Sequence, residues 1–280
     1  MGDVCHICGL CPGKIYPNLS FVLPVPICSC CLKPSGCANY RHAGRPSHLP
    51  AFSVEFEVAG ESREESLRAL TLLPLGYLRT HDGTVDDEYK SPIYHSLDAF
   101  RSHLPVLDTL RDLVTDACGT HLHVGFQRPL RWRLRSIFAE VFEPLADHLV
   151  WNADETDWFW GRTTCYYASR NLDADYPCIR LSPWYDTLEF RLPCYSSAAQ
   201  YLEVVRFCRR LTCYLRCSLA ASTNEGSMTR SPEQLGEDAL KLYQATIERL
   251  SAWRKRKAAR QCSPSFFASR TSESPLLSIP

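Results

Sequence analysis

Three separate stretches of this chain carry polar side chains two residues apart, each backed by an apolar set. Phe52-Ser53-Val54-Glu55-Phe56-Glu57-Val58 alternates strictly. Strand side chains alternate between faces, so Glu55 and Glu57 project together while Phe52, Val54, Phe56 and Val58 take the other side. In Gly119-Thr120-His121-Leu122-His123-Val124-Gly125-Phe126 the two histidines share a face. In Thr187-Leu188-Glu189-Phe190-Arg191-Leu192 the same holds for Glu189 and Arg191. Each pattern has an ordinary explanation when it stands alone. Glu-x-Glu on a strand is usually a solvated face, and Glu-x-Arg a surface ion pair. Together they say more. Like charges on one sheet face repel unless cations lie between them, and carboxylates with imidazole form a donor set suited to Mg²⁺ or Mn²⁺. A fourth stretch, Arg79-Thr80-His81-Asp82-Gly83-Thr84 followed by Glu88-Tyr89-Lys90-Ser91-Pro92, brings a turn and another acid, Glu88, as a candidate to complete a carboxylate cage.

The elements that must position these groups read as α+β. A helix is expected over 61–73, and a strand–loop–strand over 76–94 with Asp82-Gly83 at the turn. Phe100, Leu104, Leu107, Leu110, Leu113 and Val114 repeat at helical spacing over 96–117, where Pro105 kinks the helix or divides it. A strand at 120–126 leads to a helix over about 129–150, and strands follow near 178–182 and 187–192. Helices over 196–221 and 232–260 close the body. The last starts with Ser231 as N-cap, Pro232 in the first turn and Gln234 three residues after the cap. Its basic end, Arg254–Arg260, suits the negative end of the dipole. The organisation expected is therefore a Cys-rich module over 1–40, a catalytic domain over 51–260, and a Ser- and Pro-rich disordered tail over 261–280.

Seven of the fifteen cysteines fall within the first 37 residues. Cys5-x-x-Cys8 and Cys28-x-x-Cys31 make two pairs separated by 19 residues, the spacing of a four-thiolate structural Zn²⁺ site. Cys11, Cys30, Cys37 and His6 are competing ligands. So short a segment would draw its folding energy from the metal, and it would cap the domain or recruit a protein partner. Cys208 and Cys217 sit at apolar positions of an expected helix and read as buried thiols.

Bulk properties narrow the classes. The 280 residues are 45% hydrophobic with zero formal net charge, which suits a globular domain and gives no electrostatic pull toward nucleic acid or membrane. No apolar run approaches the roughly 20 residues of a membrane span. The Met1-Gly2-Asp3-Val4-Cys5-His6 start lacks a signal-peptide pattern, and His6 stands where N-myristoylation wants Ser or Thr. A cytoplasmic location is expected. No Gly-x-x-x-x-Gly-Lys-Ser/Thr phosphate loop occurs, which excludes Walker-type ATPases.

The ordered set SVEFE, DGT with EYKSP, CGTHLHVGF and TLEFRLP resembles the amidoligase family, related to glutamine synthetase and glutamate–cysteine ligase, over about residues 51–220. Two positions depart from the family pattern: Val54 stands where a small residue is usual, and Lys90 where an apolar one is common. The resemblance implies a curved antiparallel sheet with helices on its outer face and a funnel-like site on its concave face. ATP and Mg²⁺ or Mn²⁺ would bind there. By motif position, Glu55, Glu57, Glu88, His121 and Glu189 would hold metal. His123 would lie toward the nucleotide phosphates, with Arg191 and Arg180 on the transferring phosphate or the substrate carboxylate. The implied reaction joins a small-molecule or peptide carboxylate to an amine through an acyl phosphate. Arg162, Tyr166, Arg170 and Asn171 line the substrate end or serve structure. Trp151, Trp158 and Trp160 belong to the core or a pocket wall, with core expected.

Two other classes stand beside this reading. A metal-dependent hydrolase also uses His-x-His, but in barrel hydrolases that motif ends the first strand of a repeating strand–helix pattern, and no such repeat occurs here. The other is a non-catalytic zinc-binding adaptor on a ligase scaffold, which failure to bind ATP with Mg²⁺ would favour.

Overall fold

The strict alternation at 52–58 produces the central strand of a mixed α/β architecture. The computed structural model describes residues 42–43, 48–58, 78–82, 85–110, 119–151, 158–160, 169, 171–173, 177–182, 185–221 and 230–261. The Cys-rich segment 1–40, the helix expected over 61–73, Gly83, Arg162, Tyr166, Arg170 and the tail after Gln261 lie outside the described residues. In chain order the elements are β1 (His42–Ala43), β2 (Phe52–Val58), β3 (Leu78–Asp82), β4 (Val85–Lys90), β5 (Ile93–Tyr94), α1 (Leu97–Arg101), α2 (Leu104–Leu110), β6 (Thr120–Gly125), α3 (Arg128–Ser136), α4 (Phe138–Trp151), β7 (Ile179–Leu181), β8 (Thr187–Phe190), α5 (Ala198–Ala221) and α6 (Pro232–Gln261). No helix among the described residues is long and apolar enough to cross a membrane.

The strands form one open sheet in the order β1-β5-β2-β6-β8-β7, with β4 and then β3 also on the β5 side of β2. Every pairing is antiparallel except β1 with β5. β2 changes partner from β4 to β5 at Ser91-Pro92, because Pro92 has no N–H to give the ladder. Ser91 covers the gap. Its backbone N–H donates to Val54 O at 2.8 Å, and its Oγ accepts the Val54 N–H at 2.8 Å.

Two of the long expected helices are divided, while those over 196–221 and 232–260 are continuous. The 96–117 pattern yields α1 and α2, and Pro105 takes the second position of α2, where a missing N–H costs nothing. The 129–150 pattern breaks at Ile137, whose φ of −127° is not helical. The start of α6 is as expected. Ser231 Oγ accepts the Gln234 N–H at 3.3 Å, and Gln234 Oε1 accepts the Ser231 N–H at 2.9 Å.

One face of the sheet is almost entirely apolar, with Thr120 among its buried members. Phe52, Val54, Phe56, Tyr89, Leu122, Val124, Ile179, Leu188 and Phe190 are all buried there. Tyr201, Val204, Val205, Cys208, Leu211 and Leu215 supply the matching stripe of α5 at helical spacing. Tyr201 also donates its hydroxyl to Thr120 O at 3.2 Å. Trp160 belongs to the core as expected: it stacks on Tyr243 of α6 and donates to its hydroxyl at 3.0 Å. Trp158 is only half-buried, beneath the Arg254 guanidinium. Cys208 is buried, but Cys217 is exposed, because its position on α5 turns away from the core stripe.

α6 packs along α4 at an unusually close approach. Pro144 lies inside α4 and cannot donate to the Glu140 carbonyl one turn earlier. Gly236 comes against that bared carbonyl: a Cβ there would stand 2.6 Å from Glu140 O and 3.3 Å from Val141 O. Gly236→Ala gains helix propensity but forces the two helices apart. The expected net loss is about 1–3 kcal/mol of unfolding free energy in a urea titration. A variant as stable as the wild type would refute this account of the contact.

Candidate functional site

The register lines the polar residues of distant segments across the other face of the sheet. Glu57 lies opposite Glu88, and Glu55 lies opposite both Lys90 and His121. His123 is opposite Ser53 and Glu189, and Glu189 is opposite Arg180. Side chains directly across a pair share a face, so one lattice spans five strands. The pairs expected within each strand are brought together: Glu55 with Glu57, His121 with His123, and Glu189 with Arg191. Glu88 and Arg180 join them.

The lattice is buried, which forces its members to find partners. Glu57, Glu88, His121, His123, Glu189 and Arg191 are all buried, from Glu189 at 1% to Arg191 at 7%. The histidines reach diagonally rather than straight across. His123 Nε2 is 2.9 Å from Glu55 Oε2, and His121 Nε2 is 3.4 Å from Glu57 Oε1. His123 Nδ1 meets Thr187 Oγ1 at 3.3 Å, and Tyr185 packs edge-on against the same imidazole. The second Glu57 oxygen accepts the Gly119 N–H at 2.6 Å, tying β2 to the residue just before the His-x-His strand.

Glu189 is clamped from two sides. Arg180 Nε donates to its Oε2 at 2.7 Å, and an Arg191 guanidinium nitrogen donates to its Oε1 at 2.8 Å. Burial alone raises the Glu189 carboxyl. The His123, Arg180 and His121 charges outweigh it and hold the group at about 2.

At the other end two carboxylates meet. Glu55 and Glu88 share a hydrogen bond, so only one of them is readily ionised. Burial and the Glu55 charge push Glu88 up to about 9. Burial also raises Glu55, but His123, the hydrogen bond from Glu88, and Lys90 together hold it well below the usual carboxylate range. Lys90 Nζ stands 3.0 Å from Glu88 Oε1 and 3.7 Å from Glu55 Oε1. Burial lowers the Lys90 ammonium, and the two glutamates overcome this, so it stays charged.

The donor types match a hard divalent ion: four carboxylates and two imidazoles on one face. Their arrangement is another matter. Among the described residues, no group of three His, Cys, Asp or Glu side chains stands so that it could hold one metal ion. The carboxylates are instead met by the chain's own donors: Lys90, His121, His123, Arg180, Arg191 and the Gly119 amide. Cys5, Cys8, Cys28 and Cys31 lie outside the described residues. Asn171 is exposed, and its side chain accepts the Asp173 N–H at 3.1 Å within its own turn, a structural role.

Sequence reading missed two members of the site. Lys90 was legible, since it follows Glu88 at spacing two and so shares its face. Tyr185 carries no such signal: it comes from an irregular segment, and only the packing of that segment sets it against His123 and Lys90. Neither a protein-family model nor a curated protein matches the chain.

Proposed function

We propose that this chain is an ATP-dependent carboxylate–amine ligase whose site is the polar face of the sheet. The observation that carries the reading is the convergence of Glu55, Glu57, Glu88, His121, His123, Arg180, Glu189 and Arg191 from separate segments on one buried face, with the whole apolar core behind them. A face so rich in charge is costly to build for stability alone. The proposal includes the finer architecture of a glutamine-synthetase-like sheet, curved around a funnel. It also includes a Zn²⁺ site at Cys5, Cys8, Cys28 and Cys31 that serves a protein partner.

A carboxylate is a poor electrophile. Transfer of the γ-phosphoryl group to one of its oxygens, with ADP leaving, gives an acyl phosphate. An amine then attacks the acyl carbon, and inorganic phosphate departs as the amide forms. Mg²⁺ or Mn²⁺, when bound, would neutralise phosphate charge, held by members of the set Glu55, Glu57, Glu88, His121 and Glu189. Arg180 keeps 29% of its side chain accessible and can turn its guanidinium toward a phosphoryl group or substrate carboxylate. Glu189 holds both arginines in place for that task, and Glu55 fixes the His123 ring.

The test is incubation with ATP, Mg²⁺ and pooled carboxylates and amines, reading ADP and new amides. His121→Ala is expected to reduce ADP release by about a hundredfold or more, from the loss of one positioned group in the transition state. Full activity in that variant would rule out the site. One observation favours a second reading, a non-catalytic adaptor on a ligase scaffold: the carboxylates are already neutralised within the chain. Absence of ATP–Mg²⁺ binding by calorimetry would select it.

A further inference from the structure

We propose that Lys90 is the resident cation of the Glu55–Glu88 pair, so that a divalent ion does not bind between these two carboxylates in the native protein. Three observations carry this. The first is position. Lys90 lies directly across the β2–β4 pairing from Glu55, and two residues after Glu88 on β4. The backbone register therefore delivers all three side chains to one place on one face, independent of rotamer choice. The second is contact. The ammonium is within hydrogen-bond distance of Glu88 Oε1 at 3.0 Å and within ion-pair distance of Glu55 Oε1 at 3.7 Å. The Tyr185 ring, its centroid 6.0 Å from Nζ, adds an attractive face for the same charge. The third is need. The Glu88 and Glu55 side chains keep only 5% and 14% of their surface accessible, so charge on the pair must be met by a group of the fold, and Lys90 reaches both.

A metal ion and this ammonium exclude each other. Mg²⁺ or Mn²⁺ binds carboxylate oxygens at about 2.1 Å with near-octahedral demands. An ion bridging Glu55 and Glu88 at that distance would lie against Nζ, cation to cation. The lysine must leave for the metal to enter. Lys90 thus sets how many cations the face accepts from solution, because it keeps a divalent ion from bridging Glu55 and Glu88. The inference stands on the ion contacts and holds whether or not the ligase reading does.

Mn²⁺ titration of the purified full chain without nucleotide, followed by electron paramagnetic resonance, tests it. Lys90→Met removes the charge and keeps the stem. It is expected to bind about one more Mn²⁺ per chain than the wild type, and adding Glu88→Gln to it abolishes the gain. Lys90→Arg retains the charge and matches the wild type. A Lys90→Met protein that binds no extra Mn²⁺ overturns the proposal. A second arm needs only the wild-type lysine: Glu88→Gln alone leaves Mn²⁺ stoichiometry unchanged if Lys90 occupies the pair. Loss of a bound ion in that variant makes Glu88 a metal ligand and overturns the proposal even where Lys90→Met fails to fold. Failure of the ligase reading appears separately, as absent ADP release with either result here.

Discussion

Glu189→Gln lowers the unfolding free energy by about 3–5 kcal/mol, the cost of stranding a buried charge when its partner is removed. Arg191 is the charge concerned. It is buried with its guanidinium 2.8 Å from the lost carboxylate, whereas Arg180 is partly accessible and can turn to water. Glutamine keeps the volume and one acceptor but not the negative charge that both arginines need. Urea titration at neutral pH measures the loss, and a change under about 1 kcal/mol would show that the clamp contributes little.

The same residue sets an acid limit. The folded carboxyl sits at about 2, below its ordinary 4.5, so its stabilisation is present above about pH 5 and disappears as pH falls toward 2. At 1.36 kcal/mol per pH unit, this amounts to about 3 kcal/mol, and the Gln variant should show a correspondingly flatter acid limb. Glu88 acts with the opposite sign. Its folded carboxyl is raised to about 9, so its contribution is full below 4.5 and is lost as pH rises through 9.

Arg209→Met is expected to cost about 3 kcal/mol, although this arginine is far from any chemistry. It lies on α5, against the residues that lead into β2. Nε donates to Pro50 O at 2.8 Å, and another guanidinium nitrogen donates to His95 O at 3.1 Å and Leu49 O at 3.4 Å. The guanidinium also faces the Phe52 ring at 5.1 Å. One side chain therefore satisfies backbone carbonyls both before β2 and after β5. Burial pushes its guanidinium down, which tempers the gain. Methionine fills the stem's space but withdraws the guanidinium donors from those carbonyls. A melting temperature within about 2 °C of the wild type would show that they find other partners.

The strand pairs could be seen in the sequence because period two is a local property. Once Phe52, Val54 and Phe56 are committed to a core, Glu55 and Glu57 must point the other way, and the same constraint fixes His121 with His123. The capping box at Ser231 was equally legible, because all its atoms lie within one turn. Pro105 likewise marked the division of the 96–117 pattern, since a proline fits only the first turn of the helix it belongs to. The break at Ile137 was harder to see, because apolar periodicity runs straight through it.

Alternation by itself determined which residues share the polar face, and therefore which chemistry that face can support. It could not determine which acid meets which base. Cross-strand partners depend on register between segments up to 68 residues apart, as for Glu55 and His123. The tertiary structure alone decided that Lys90 lies between two glutamates and that Glu189 lies between two arginines. Those contacts follow from strand order and burial, since a charge taken out of water must be met by whatever opposite charge the fold brings near it.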